Sequence, residues 1–243
     1  MKFANEHEVQ LMLEDLKEQV CQANLDLVKH GLVTLTWGNA SGISEDRQHV
    51  VIKASGVAYD DMQPRHMVVV DLDGNVVEGQ LRPSSDTPTH VLLYSNFKTI
   101  GGITHTHSRF ATVFAQARLE IPCLGTTHAD HFYGAIPVTR PLSEEEVTEA
   151  YEVNTGQVIV ERFAELAPVA MPAVLVAGHA PFAWGPTVAK SVENAVALEA
   201  VAEMALGVRQ LVAEPIPLES YVLDKHFLRK HGPDAYYGQT PEK

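Results

Sequence analysis

The chain has 243 residues, 45% hydrophobic and 20% charged, with 18 basic against 31 acidic side chains and a formal charge of −13. That length supplies one large core or at most two small ones, and so acidic a balance without a dense basic tract speaks against gripping a nucleic-acid backbone. Its two cysteines, Cys21 and Cys123, make neither a disulfide scaffold nor a C-x-x-C pair, Met1–His7 carries no apolar signal core, and no apolar run reaches the roughly 20 residues of a bilayer span.

In chain order, Val9, Leu13, Leu16, Val20, Ala23 and Leu27 step by three and four and predict an amphipathic helix, stopped by Gly31. Leu32–Trp37 and Val50–Lys53 read as short β-branched strands, and Met67–Leu72 and Asn75–Glu78 flank Asp73-Gly74 as a hairpin. Arg82–Asp86 is a polar turn, and Thr87-Pro88 opens a helix through Tyr94. Ile100–His107 predicts a strand, Ser143-Glu144-Glu145-Glu146 a capping box, and Ala173–Ala177 a buried strand with a turn at Pro181. Val188–Leu211 and Tyr221–His231 read as helices, the second ending at Gly232-Pro233. Without repeat, linker or low-complexity tract, the expectation is a single α/β or α+β domain over residues 1–243, soluble and cytoplasmic.

Of the twelve histidines, His7, His30, His49 and His66 read as surface or packing residues. His105 and His107 differ, because side chains two apart on a strand share a face, and paired neutral imidazoles suit a divalent cation. The plain alternative is two polar residues on a wet strand. His179, after an apolar run and Gly178, offers a third imidazole at a strand end. Asp86 offers a carboxylate or, equally, a helix N-cap. Three imidazoles with one carboxylate suit Zn²⁺ or another borderline first-row ion. Trp37-Gly38-Asn39-Ala40-Ser41 and Lys53-Ala54-Ser55-Gly56 are small-residue turns whose amides, hydroxyls and ammonium could form a phosphate nest, and Ser84-Ser85 at a helix start would add the positive end of a dipole. Asp130 reads as a helix cap, and Tyr236-Tyr237 as aromatics that pack on the domain or on a neighbouring subunit.

Together these segments resemble the L-ribulose-5-phosphate 4-epimerases of the class II aldolase family. The resemblance runs from about Leu13 to Gln239 through Thr34-Leu35-Thr36-Trp37-Gly38-Asn39, Lys53-x-Ser55-Gly56 and Pro83–His90. It continues through Gly101–Ser108, Gly125–Asp130, Phe182–Gly185, Asp224–Gly232 and Tyr236–Gln239. It implies an α/β/α sandwich around a largely antiparallel sheet, assembled as a cyclic homotetramer with intersubunit active sites. It implies zinc held by Asp86, His105, His107 and His179; because a catalytic zinc keeps an open position, Asp86 is expected to be the weakest ligand or the coordination to expand when substrate binds. Gly38, Asn39, Lys53, Ser55, Gly56, Ser84 and Ser85 would bind the sugar phosphate, and Asp130 and Tyr237 would form an acid/base pair reaching in from an adjacent subunit. The implied reaction inverts C4 by retro-aldol cleavage and re-addition, in arabinose or in ascorbate/gulonate catabolism. Ala54, Ala177-Gly178 and His131 depart from the family pattern without touching an implied ligand. The rival readings are a fuculose-phosphate-type aldolase, which carries glutamate where Asp86 stands, and a non-catalytic metal-binding protein of the same fold.

Overall fold

A computed structural model of the chain describes residues 6–237. Gly238 and Gln239 of the tail motif, and most of the Met1–His7 segment, lie outside the described residues. Seven strands form one wholly antiparallel sheet: β1 (Asn39–Ile43), β2 (His49–Lys53), β3 (Met67–Asp71), β4 (Val76–Glu78), β5 (Gly102–His105), β6 (Ala173–Leu175) and β7 (Pro181–Gly185). Their spatial order is β4-β3-β2-β1-β5-β7-β6. The helices are α1 (Glu6–Lys29), α2 (Thr87–Asn96), α3 (Arg109–Ala117), α4 (Thr126–Ala129), α5 (Glu144–Arg162), α6 (Val188–Leu211) and α7 (Ser220–His231).

The period-two alternation of the strands sorts the layers. On one face Gly42 meets Leu16 of α1 and Val188 of α6, and Thr104 reaches Ser191 of α6. On the other, Ser41 bonds His90 and Tyr94 of α2, while Phe182 and Trp184 of β7 pack on His90 and Phe97. The result is a sandwich of helices on both faces of an antiparallel sheet, as the resemblance implied. Asn24 of α1, fully buried, bonds both the amide and the carbonyl of Ala40 and so fixes α1 to β1.

Three local expectations need correction. Leu32–Trp37 is not a strand: Leu35 (φ 54°) and Gly38 (φ 87°) turn the chain, and the strand is the small-residue run Asn39–Ile43. A side chain at Gly42 would sit 2.6 Å from Val188, so helix packing rather than β-propensity chose this sequence. The strand at Ile100 ends at His105, leaving His107 beyond it. Pro181 begins β7 instead of making a turn, and β6 stops at Leu175. Glycine at position 102 is required, since a Cβ there would fall 2.4 Å from the Val188 Cα where α6 starts.

Candidate metal centre and active site

At the carboxyl end of β5 the chain leaves the sheet. His105 is almost fully buried, its ring stacked on Phe182 at 4.1 Å. Its Nδ1 donates to the Pro181 carbonyl at 2.9 Å, which fixes the tautomer and leaves Nε2 free. Gly38 lies so close to the His105 carbonyl that a Cβ would approach it to 2.8 Å. The tight turn Val176–Ala180 brings His179 alongside, its Nδ1 lying 3.4 Å from the Tyr151 hydroxyl. The rings of His105, His107 and His179 form a nearly equilateral triangle, with centroids 5.1, 5.0 and 5.0 Å apart. Their ligand atoms all lie within 4.8 Å of one another. Burial, with repulsion from neighbouring imidazoles, lowers the pKa of His107 and takes that of His179 to about 4. Both are therefore neutral near pH 7, the form that binds a cation. Three imidazoles beside one carboxylate fit a borderline divalent ion with an open position.

Asp86 falls outside that trio of donors. It stands at the α2 N-cap yet makes no capping bond; its Oδ2 accepts from Asn39 Nδ2 at 2.7 Å. Burial works against its charge, but His105, His90 and the Asn39 bond prevail and hold its pKa below the usual carboxylate value. Behind it, His90 is fully buried, and burial lowers its pKa to about 3.

Every residue expected to hold metal or phosphate lines one cavity of about 640 Å³. Its lining brings Gly38, Asn39, Lys53, Ser55, Gly56, Ser84 and Ser85 together with Asp86, His105, His107 and His179. Lys53 is buried with no carboxylate partner among the described residues; burial lowers its pKa, and its Nζ rests over the Tyr59 ring.

Tyr151 and Glu152 also line the cavity, and sequence reasoning missed them. They follow a break in α5 at Ala150 (φ −160°, ψ 71°), which no proline or glycine announces. Asn154 donates to the Glu146 carbonyl at 2.9 Å, satisfying a backbone group freed by the break, and Thr89 of α2 donates to the Glu152 carbonyl at 2.5 Å, tying the segment after the break to α2.

Asp130 and Tyr237 lie apart from this cavity. Asp130 accepts from Arg229 (2.8 and 2.9 Å) and from His226 Nδ1 (3.0 Å), with Lys230 at 3.5 Å. Although burial opposes it, the bonds from Arg229 and His226 and the charge of Lys230 hold its pKa low. Tyr237 is exposed, with the Lys230 ammonium 4.4 Å and the Arg229 guanidinium 5.0 Å from its ring centre. Arg229 thus touches both residues, and His226, which sequence reasoning also missed, joins the group.

The sequence model of the class II aldolase and adducin N-terminal domain matches residues 18–206. L-ribulose-5-phosphate 4-epimerase UlaF of Salmonella paratyphi B and that of Salmonella typhi are each 55% identical to the chain over 227 residues, 93% of this chain and all of theirs. Among solved structures, an L-fuculose 1-phosphate aldolase superposes with a TM-score of 0.74 at 25% identity, covering 87% of this chain and 94% of that one. No helix among the described residues is long and apolar enough to cross a membrane.

Proposed function

This chain belongs to the class II aldolase and adducin N-terminal domain family, and from that premise we propose that it is an L-ribulose-5-phosphate 4-epimerase, an isomerase yielding D-xylulose 5-phosphate. Its epimerase relatives match along nearly its whole length. The observation that carries the reading chemically is the meeting, in one cavity, of a three-histidine cluster with a set of hydroxyls and the Lys53 ammonium.

C4 of a 2-ketopentose phosphate is not adjacent to the carbonyl, so its hydrogen is not acidic and direct proton abstraction is excluded. Inversion there follows from breaking C3–C4, turning the two-carbon aldehyde and rejoining it. A divalent cation, Zn²⁺ by the donor set, would be held by His105, His107 and His179 with Asp86 beside them, and would supply Lewis-acid stabilisation of charge on the keto side. Lys53, the Ser55, Ser84 and Ser85 hydroxyls, and the Gly38, Asn39 and Gly56 turns hold the phosphate, so that the aldehyde rotates without escaping. The ionised Asp130 and the Tyr237 hydroxyl move the C4-hydroxyl proton on opposite faces. Both lie outside the cavity of their own chain, which supports a cyclic homotetramer whose sites are completed by a neighbouring subunit.

We take residues 1–243 as one domain and the cytoplasm as its compartment, with arabinose catabolism or the ascorbate/gulonate route as source of the substrate. The fold shared with L-fuculose 1-phosphate aldolase marks the runner-up, a lyase releasing its fragments. Incubation with L-ribulose 5-phosphate separates the two: D-xylulose 5-phosphate as main product supports the epimerase. Accumulating glycolaldehyde phosphate and dihydroxyacetone establishes the aldolase instead.

A further inference from the structure

Helix α3 starts at Arg109, immediately after Ser108 and His107. Ser108 has the extended dihedral angles of an N-cap (φ −61°, ψ 142°), yet its hydroxyl makes no capping bond. The amides that such a hydroxyl would take are claimed by α6 instead. Phe110 N–H donates to Glu199 Oε1 at 2.8 Å, and Ala111 N–H donates to Oε2 at 3.0 Å. A carboxylate there is favoured by the helix dipole as well as by two charge-assisted bonds.

The same helix grips both strands beside the metal centre. Ser191 lies 2.8 Å from the hydroxyl of Thr104, the residue before His105, and Asn194 donates to the Trp184 carbonyl of β7 at 2.7 Å. From Ser191 to Glu199 α6 rises about 12 Å as a rigid rod, so one element sets β5 and α3 relative to each other. His107 needs that constraint. The rings of His105 and His179 have outer partners in the Pro181 carbonyl and the Tyr151 hydroxyl, whereas among the described residues the exposed His107 ring has no hydrogen-bond partner. Its ring is placed by its backbone and by contacts with the Trp37, His105 and His179 rings.

We propose that Glu199 is a positioning residue for the metal centre: by clamping the α3 N-terminus to α6 it fixes the bend after β5 that turns His107 towards His105 and His179. The proposal rests on reading the three histidines as metal ligands, and its test separates the two. Co²⁺ binding to metal-free protein is followed by visible absorption with chelator competition, alongside hydrogen exchange at the Phe110 and Ala111 amides. Glu199→Ala should weaken Co²⁺ binding about 10- to 100-fold, the range for a lost outer partner, and speed exchange at both amides. Glu199→Gln, which keeps one acceptor oxygen and carries the comparison if Glu199→Ala does not fold, should fall between. Ser108→Asp added to Glu199→Ala rebuilds a cap within α3 and should restore amide protection and affinity together. Wild-type Co²⁺ affinity in a variant whose amides exchange faster, or restored protection without restored affinity, overturns the proposal. His107→Ala binding Co²⁺ as tightly as wild type would instead refute the histidine cluster as a metal site, whatever Glu199 does.

Discussion

Asp86 occupies the N-cap position of α2, but its carboxylate turns away from the helix amides and accepts from Asn39 Nδ2 at 2.7 Å. The acid is thereby held at the cavity wall, outside the histidine trio. Asp86→Asn should therefore weaken metal binding about 10-fold, as loss of an outer partner does, against at least about 100-fold for His105→Ala. Equal losses in chelator competition would make Asp86 a full ligand. Because no capping bond is present, Asp86→Ala should escape the ~1 kcal/mol cost of removing an N-cap, as thermal unfolding of metal-free protein will show.

Three buried imidazoles set the acid limit of metal-free protein. Burial, the largest cause in each, lowers His128 and His179 to about 4 and His90 to about 3, from an ordinary 6.5. The unfolded chain takes up these protons first, so the stability they contribute is complete above about pH 6.5 and is lost as pH falls towards 4. Carboxylates held low, such as Asp130, lose theirs only below the ordinary carboxylate range. Urea midpoints should decline from pH 6.5 to 5; a flat profile over that window would contradict the assignment.

Lys53 is buried without a carboxylate partner among the described residues, which suits the phosphate-binding role proposed for it. A hydrogen bond to a charged group contributes about 1.5–3 kcal/mol. Lys53→Met should therefore raise KM for L-ribulose 5-phosphate about 10- to 100-fold and leave metal affinity unchanged. Turnover of unphosphorylated L-ribulose, however slow, should be unaffected; an equal loss with both substrates would place Lys53 at the reacting carbons.

Asp130 and Tyr237 stand together around Arg229 and away from the histidine cavity. Asp130→Asn and Tyr237→Phe should each cut kcat at least about 100-fold, within the span of a lost acid/base group, without loosening the metal. Mixed oligomers of His107→Ala with Asp130→Asn subunits should regain part of the wild-type activity, because some sites then draw both intact halves from different chains. No recovery in co-expressed, purified hetero-oligomers would place each site within one chain.

What could be read from residues alone was what local chemistry dictates. The Ser143 capping box is present with both bonds, Asp73-Gly74 turns the β3–β4 hairpin, and α6 spans Val188–Leu211 as its Ala-rich run, free of proline and of glycine until Gly207, predicts. β1 was hidden because Asn39–Ile43 owes its strand to neighbours on both faces, where a large side chain at Gly42 would collide with Val188 and Leu16. His105 and His107 were legible as a pair, but strand periodicity does not explain their convergence, since β5 ends at His105 and the bend into α3 is set by the distant Glu199. Tyr151 and Glu152 reach the cavity through a break in α5, and the segment after it is tied to Thr89, far away in sequence. Packing and long-range capping decided these features, and neither leaves a local signature.

The most direct test of the central claim is a coupled assay from L-ribulose 5-phosphate to D-xylulose 5-phosphate on one preparation as purified, after exhaustive chelation, and after Zn²⁺ is returned. Turnover should collapse on chelation and recover on restoration, with circular dichroism unchanged throughout. Equal rates in the chelated and restored samples would contradict the role assigned to His105, His107 and His179.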